Sequence, residues 1–415
     1  MLFITVVLNY IDRANLAIAA PAMRTDLHLD SKQMGLLMSS FGLSYALCQI
    51  PGGWLVDRVH PRVLLTVLLA AWSCGTILTG FASTLTMVFA LRLVIGILES
   101  PAYPMNARIA TTWFPERERG RAVAFYISGQ FVGLAFLTPV LSWLQSRYSW
   151  HAIFWCTGSL GILWAGVWHA FYRDPLDSPR TNAAEVAHIR DGGGMPEGSA
   201  RKKATPIVVD DLVALLNKRQ LWGVYIGQFA VTSTLWFFLT WFPTYLVEAR
   251  GMSFVKAGIL ASIPPLAAFA GVLTAGAFSD YLLRCGVNVA VARKIPIVTG
   301  LCLSATVVTA NFVEVPALVI TCMAIAFFGT GLSSITWSLV ADIAPKRLVG
   351  LTSGVFNLLG NLAAVVTPFV VGHLVQGTDF SDALIYIASV AAMGALSYIL
   401  VVGKVERLQD PAEIA

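Results

Sequence analysis

Apolar runs long enough to cross a bilayer recur from one end of this 415-residue chain to the other. A helix rises about 1.5 Å per residue, so roughly 20 apolar residues cover a hydrocarbon core about 30 Å thick. Inside that core the backbone has no water to bond, so each run must satisfy its own N–H and C=O groups as a helix. Composition agrees: 57% of residues are hydrophobic, 12% are charged, and mean hydropathy is +0.72. The expected fold is an all-α membrane protein. Its twelve spans are read at 2–22, 34–54, 62–82, 85–105, 121–141, 150–171, 220–245, 256–279, 294–313, 316–341, 350–373 and 383–403.

The loops alternate in charge. Of 28 Lys and Arg residues, 21 fall in the loops after even-numbered spans or in the C-terminal tail, and five in the loops after odd-numbered spans. Cytoplasmic loops carry such an excess, so both termini are expected in the cytoplasm. One loop, 172–219, is far longer than the rest. Its polar, Gly-rich "RDGGGMPEGSARKKATP" reads as a linker. The amphipathic stretches "AAEVAHIR" and "DDLVALLNK" beside it are expected to lie at the membrane surface. The chain then divides into an N-terminal bundle (1–171), a cytoplasmic linker (172–219) and a C-terminal bundle (220–415). Two echoes suggest that the bundles are repeats. "GGWLVDR" after span 2 answers "GAFSDYLLR" after span 8, and "PERERG" after span 4 answers "PKRLVG" after span 10.

Several function classes are excluded. The net charge of +5 comes from scattered basic residues, which does not suggest nucleic acid. Cys48, Cys74, Cys156, Cys285, Cys302 and Cys322 form no CxxC pair, and the histidines show no metal spacing, so no metal or cofactor is expected. His151 and His373 are minor candidates for proton transfer. The first apolar run is too long for a cleavable leader and lacks a basic flank. Because the chain starts inside its first span, a cytoplasmic tail is expected to precede it. A membrane enzyme would need a nucleophile–base pair or a metal cluster, and neither is present in the motifs, so the chain is not expected to be an enzyme. A nutrient sensor would need a signalling tail. A monomer is expected.

What remains is the charge inside the spans. "NYIDRANLAIAA" puts Asp12 and Arg13 in the middle of span 1, and span 4 holds Arg92 and Glu99. Each such charge costs about 2.5–3.5 kcal/mol on insertion scales. Buried ion clusters stabilise poorly relative to apolar packing, so a functional site is the better reading. Spans 1 and 4 begin the two three-helix units of the first half, and as inverted repeats they could line one cavity. The second half has no charge well inside a span. It offers neutral groups: Gln228 and Trp236 in span 7, Ser334, Thr336 and Trp337 in span 10, Asn357 and Asn361 in span 11. Tyr10, Tyr45 and Gln130 add to the first half. A small anion bearing several hydroxyls would suit this division, its carboxylate on a guanidinium and its hydroxyls on amides and an indole. Pro51, Pro104, Pro139, Pro243 and Pro368 sit in or near span ends, where kinks are tolerated.

"GGWLVDRVHPR" (52–62) resembles the loop signature of the major facilitator superfamily, with Gly53, Asp57, Arg58 and Arg62 matching. His60 and Pro61 depart from it, so the loop is expected to turn differently. With "GILESPAYP" and "WFPERERGRA", "NYIDRANLAIA" looks like the anion:cation symporter family, whose members carry sugar acids and other organic anions. "SGQFVGLAFLTP", "STLWFFLTWFP", "IRDGGG" and "ITWSLV" resemble its galactonate branch more than its glucarate branch. The resemblance implies substrate contacts at Arg13, Tyr45, Gln130, Gln228, Trp337 and Asn357. It implies proton coupling through Asp12 and Glu99, with Arg92 pairing an ionised acid and the 53–62 loop acting as a gate. The implied activity is import of a sugar-acid anion with protons by alternating access, across a bacterial inner membrane. Glucarate, hexuronate or anion exchange are the alternatives. An antiporter is disfavoured because no proline follows Gly129 or Gly133 in span 5.

Overall fold

The computed structural model describes residues 1–196, 209–345, 348–403 and 408. The linker residues 197–208, Lys346 and Arg347 of the second loop echo, and the tail residues 404–407 and 409–415 lie outside the described residues. So do the side chains of Asp57, Glu116, Arg117 and Asp280 from the loop motifs. Among the described residues there is no strand, and nine helices are long and apolar enough to cross a membrane. Arg219–Thr240 with Phe242–Ala249, bent by 50°, makes a tenth. The two other expected spans are helical as well: Ser31–Leu47 running into Gln49–Arg58, and Trp150–Phe171.

Span 1 is one unbroken helix, Leu2–Asp26, and span 3 is another, Pro61–Thr79. Several other spans are interrupted next to proline, whose ring lacks an N–H and clashes with the carbonyl four residues earlier. Span 2 breaks at Cys48, before Pro51. Span 4 breaks between Leu85–Glu99 and Ala102–Trp113, before Pro104. Span 5 carries a π-turn, Gly133–Leu137, before Pro139, and span 7 bends before Pro243. Pro368 differs: it lies inside Ala363–Leu374 of span 11, and its carbonyl accepts from Trp241 Nε1 at 3.1 Å. The breaks in spans 2 and 4 meet. Ser100 Oγ donates to the Cys48 carbonyl at 3.1 Å, so a hydroxyl at one interruption satisfies backbone at the other.

Two compact units emerge. One contains Met1–Leu27 and Ser40–Thr205, the other His28–Ser39 and Pro206–Ala415. Residues 28–39, the start of span 2, group with the second unit, where Gly35 meets Gly372 of span 11. The same helix pairs recur inside each unit. In the first, span 1 packs on span 5 and span 3 on span 6. In the second, span 7 packs on span 11 (Val349–Asn361) and span 9 (Val289–Ala305) on span 12 (Ser381–Leu400). Span 4 also lies against span 2 in the first unit. A Cβ on Gly96 would fall 2.2 Å from Ser44 Oγ and 2.6 Å from the Phe41 carbonyl, so only glycine permits this approach.

The start of the long loop is an ordered attachment rather than a free linker. "AAEVAHIR" forms the helix Ala183–Asp191, capped by Asn182, and buries Ile189. The chain then turns through Gly193 at φ +80°, and the Met195 N–H donates to the Thr111 carbonyl at 3.0 Å. Arg119 Nη2 donates to the Gly193 carbonyl at 3.2 Å, and His188 Nε2 lies 3.1 Å from Glu118. "IRDGGG" thus docks on the loop between spans 4 and 5. "DDLVALLNK" is helical through Leu216, as part of Val209–Leu216.

Candidate functional site

The first unit's site is organised by the 100° turn per residue of span 1. Asp12 and Arg13 are neighbours in sequence, so they face different helices. Asn9, Tyr10 and Asn15 stand three or four residues from one or other of them and share their faces. Arg13 meets span 4: its Nε donates to Glu99 Oε2 at 3.2 Å, and Asn9 Nδ2 lies 3.5 Å from the same oxygen. Four aromatic rings surround the guanidinium. Its Cζ is 4.9 Å from the Tyr45 ring centre, 5.0 Å from Tyr10, 5.2 Å from Phe41 and 5.9 Å from Tyr103. Cation–π attraction of this kind strengthens when water is excluded. Arg13 is 6% exposed and Glu99 fully buried, so water is largely excluded here.

Asp12 faces the other way. Asn15 Nδ2 lies 3.3 Å from Asp12 Oδ1 and 2.7 Å from Thr157 Oγ1 on span 6, and the Trp72 indole of span 3 stands beside the same carboxylate. Arg92 Nη1 donates to the Asp12 backbone carbonyl at 3.3 Å, while its guanidinium lies 5.1 Å from the Phe41 ring centre. Glu99 pairs with Arg13, not with Arg92. Arg92 stands seven residues back on the same helix, about 10 Å along its axis, whereas Arg13 crosses from span 1 at the level of Glu99. With all four groups ionised the cluster is neutral, yet it is not saturated. Arg13 Nη2, Arg92 Nε and Glu99 Oε1 are buried without a hydrogen-bond partner among the described residues. An unmade bond of this sort costs about 1–3 kcal/mol, and the Arg13 fork keeps a donor available for a ligand.

The second unit brings several of its predicted polar groups together. Thr336 Oγ1 donates to Gln228 Oε1 at 3.1 Å, and Gln228 Nε2 donates to Thr232 at 3.3 Å. Asn361 Nδ2 donates to the Asn357 side chain at 2.8 Å and to its backbone carbonyl at 2.9 Å. Trp337 stands edge-on to Phe356, 4.8 Å between ring centres, and is 47% exposed. Trp236 is buried, and Ser334 and, in the first unit, Gln130 are half-buried.

The loop signature joins spans 2 and 3. His60 caps span 3, its Nδ1 accepting from the Arg62 N–H at 3.2 Å, and Pro61 fills the first helical position. That leaves the ring proton on Nε2, 3.0 Å from Asp174. Arg62 Nε donates to the His169 carbonyl at 2.8 Å, and Arg58 stacks on Trp54 at 3.7 Å. Arg108, which the sequence did not single out, donates to the Val56 and Val59 carbonyls. His151 stacks on Trp150 and His373 lies tilted against Phe369, both at span ends outside the charged cluster. Asn9, Asn15, Phe41, Tyr103 and Thr157 were also missed. For Asn9 and Asn15 the signal was present: amides in the middle of a span need partners. Among the described residues no group of His, Cys, Asp and Glu could hold a metal ion.

Comparison with known proteins agrees along the whole chain. The profile of the Major Facilitator Superfamily matches residues 2–368. A D-galactonate transporter of Escherichia coli O6:H1 is 50% identical over 411 residues, covering 98% of this chain and 95% of its own. A probable galactarate/D-glucarate transporter of Bacillus subtilis is 40% identical over 426 residues, covering 99% and 94%. The inward-open xylose transporter XylE of E. coli shares the fold, with a TM-score of 0.75 at 13% identity over 97% of this chain and 95% of that one.

Proposed function

Since the chain belongs to the major facilitator superfamily and is a multi-pass membrane transporter, we propose that it imports a sugar-acid anion, D-galactonate in the first instance, together with protons. The observation that carries this reading is the buried Arg13–Glu99 pair inside its aromatic surround. Two carboxylates compete for one guanidinium. While Glu99 is ionised it occupies Arg13. A proton on Glu99 cancels that attraction and leaves the guanidinium fork to the substrate carboxylate. Binding of the anion and binding of the proton then favour the same carrier state, which is what coupling requires. Asp12 acts as the second acid, and Arg92, held on the Asp12 carbonyl, keeps positive charge close to both.

Tyr45 and Gln130 in the first unit, and Gln228, Trp337 and Asn357 in the second, are the proposed hydroxyl readers. Amides read hydroxyl positions because each is donor and acceptor at once. Arg13 offers a single guanidinium fork, which suits a monoacid. A dicarboxylate would bring its second charge to groups that are neutral. The chain works by alternating access in the bacterial inner membrane, as a monomer, with both termini cytoplasmic and the loop 53–62 as a gating element. The test is counterflow in proteoliposomes loaded with a panel of sugar acids. D-Galactonate should exchange, with galactarate and D-glucarate at least tenfold poorer. Equal exchange of the diacids would overturn the monoacid assignment, and no exchange of any sugar acid would overturn the substrate class.

A further inference from the structure

Asp12 is tied to a helix that carries no charge. Asn15 sits one turn beyond it on span 1, is fully buried, and points both hydrogens of its amide at oxygens: Asp12 Oδ1 at 3.3 Å and Thr157 Oγ1 at 2.7 Å. Thr157 cannot be the donor in that pair, because its hydroxyl donates to the Ile153 carbonyl of its own helix at 2.8 Å. The direction of the chain is therefore fixed. Span 6 backbone accepts from Thr157, Thr157 accepts from Asn15, and Asn15 donates to Asp12. An amide has free rotation about its last bond, and the short contact to Thr157 removes it. Asn15 Oδ1 has no partner among the described residues, so the amide is held by its donor side alone.

We infer that Thr157 is a positioning residue of the proton-coupling device: it aims the Asn15 N–H at Asp12 and so helps the empty carrier release its proton. This rests on the proposed reading of Asp12 as a coupling acid. A donated hydrogen bond favours the carboxylate over the acid. The groups facing Asp12 are Arg13 on its own helix, Arg92 and Glu99 on span 4, and Trp72 on span 3. None of them is altered by a change at Thr157.

Thr157→Val keeps shape and removes the acceptor, while Thr157→Ser keeps the acceptor. In proteoliposomes, Thr157→Val should exchange labelled for unlabelled D-galactonate at the wild-type rate, since exchange needs no proton release. Its uptake driven by a pH gradient should fall roughly tenfold, about the worth of one hydrogen bond to a charged group. Raising the luminal pH by about one unit at constant gradient should restore most of that uptake, because a carrier slow to release its proton is helped by an alkaline lumen. Thr157→Ser should behave as wild type. Unchanged uptake in Thr157→Val would overturn the inference, as would equal loss of exchange and uptake with no recovery at alkaline luminal pH. Wild-type protein that exchanges the substrate but takes up none with a proton gradient would overturn instead the coupling on which the inference rests.

Discussion

Arg13 shows what a single side chain must satisfy here. A guanidinium is planar, stacks on aromatic faces and can offer two parallel N–H donors to a carboxylate. Lysine offers a point charge on a flexible stem and cannot fill the same ring of Tyr10, Phe41, Tyr45 and Tyr103. Arg13→Lys should therefore weaken substrate binding at least tenfold, more than about 1.4 kcal/mol, while the protein still inserts and purifies normally. Titration of purified protein with D-galactonate checks this, and near-normal affinity would remove Arg13 from the site. The hydroxyl readers make a second prediction. Asn357→Ala should weaken binding by about 0.5–3 kcal/mol for galactonate, and by much less for short acids lacking the distal hydroxyls. An equal loss along such a chain-length series would mean that Asn357 serves packing alone. The four buried charges were legible in the sequence because each stands out against an apolar run. Their pairing was not. Arg13 and Glu99 are 86 residues apart, and only the level at which two helices cross decides that they meet.

At the scale of the helix, packing and chemistry meet at Gly96. It lets span 4 approach the Phe41 carbonyl, and Phe41 lies under both Arg13 and Arg92. A larger side chain there must move span 2 and the ring with it. Gly96→Val should lower thermal stability by about 1–3 kcal/mol and weaken substrate binding, although residue 96 touches no substrate. A stability loss without any loss of affinity would separate the glycine from the site. The helices themselves were largely legible, since apolar length dictates them, and the breaks beside Pro51, Pro104, Pro139 and Pro243 follow from the missing N–H. The docking of "IRDGGG" was not legible. Glycine-rich polar sequence reads as a linker, and only the φ of +80° at Gly193 and the bond from Met195 to Thr111 show it to be a fixed turn.

Across the whole chain, two units with the same helix pairings carry different chemistry. The first buries Asp12, Arg13, Arg92 and Glu99; the second presents Gln228, Thr336, Asn357 and Trp337. A duplication would account for the shared pairings, while among the described residues the buried charges all lie in the first unit. The two loop echoes are what a duplication would leave, because turns at equivalent places keep similar residues. They disclosed nothing of which half would hold the proton. The central claim is that a proton on Glu99 frees Arg13 for the substrate. Glutamine at position 99 imitates the protonated acid permanently, so the most direct measurement is a pair of assays on one preparation of Glu99→Gln proteoliposomes. Exchange of labelled for unlabelled D-galactonate should persist, because that cycle never visits the empty, deprotonated carrier. Net uptake driven by an imposed pH gradient should be lost. Full proton-driven accumulation by Glu99→Gln would contradict the account and leave the Arg13–Glu99 pair a structural one.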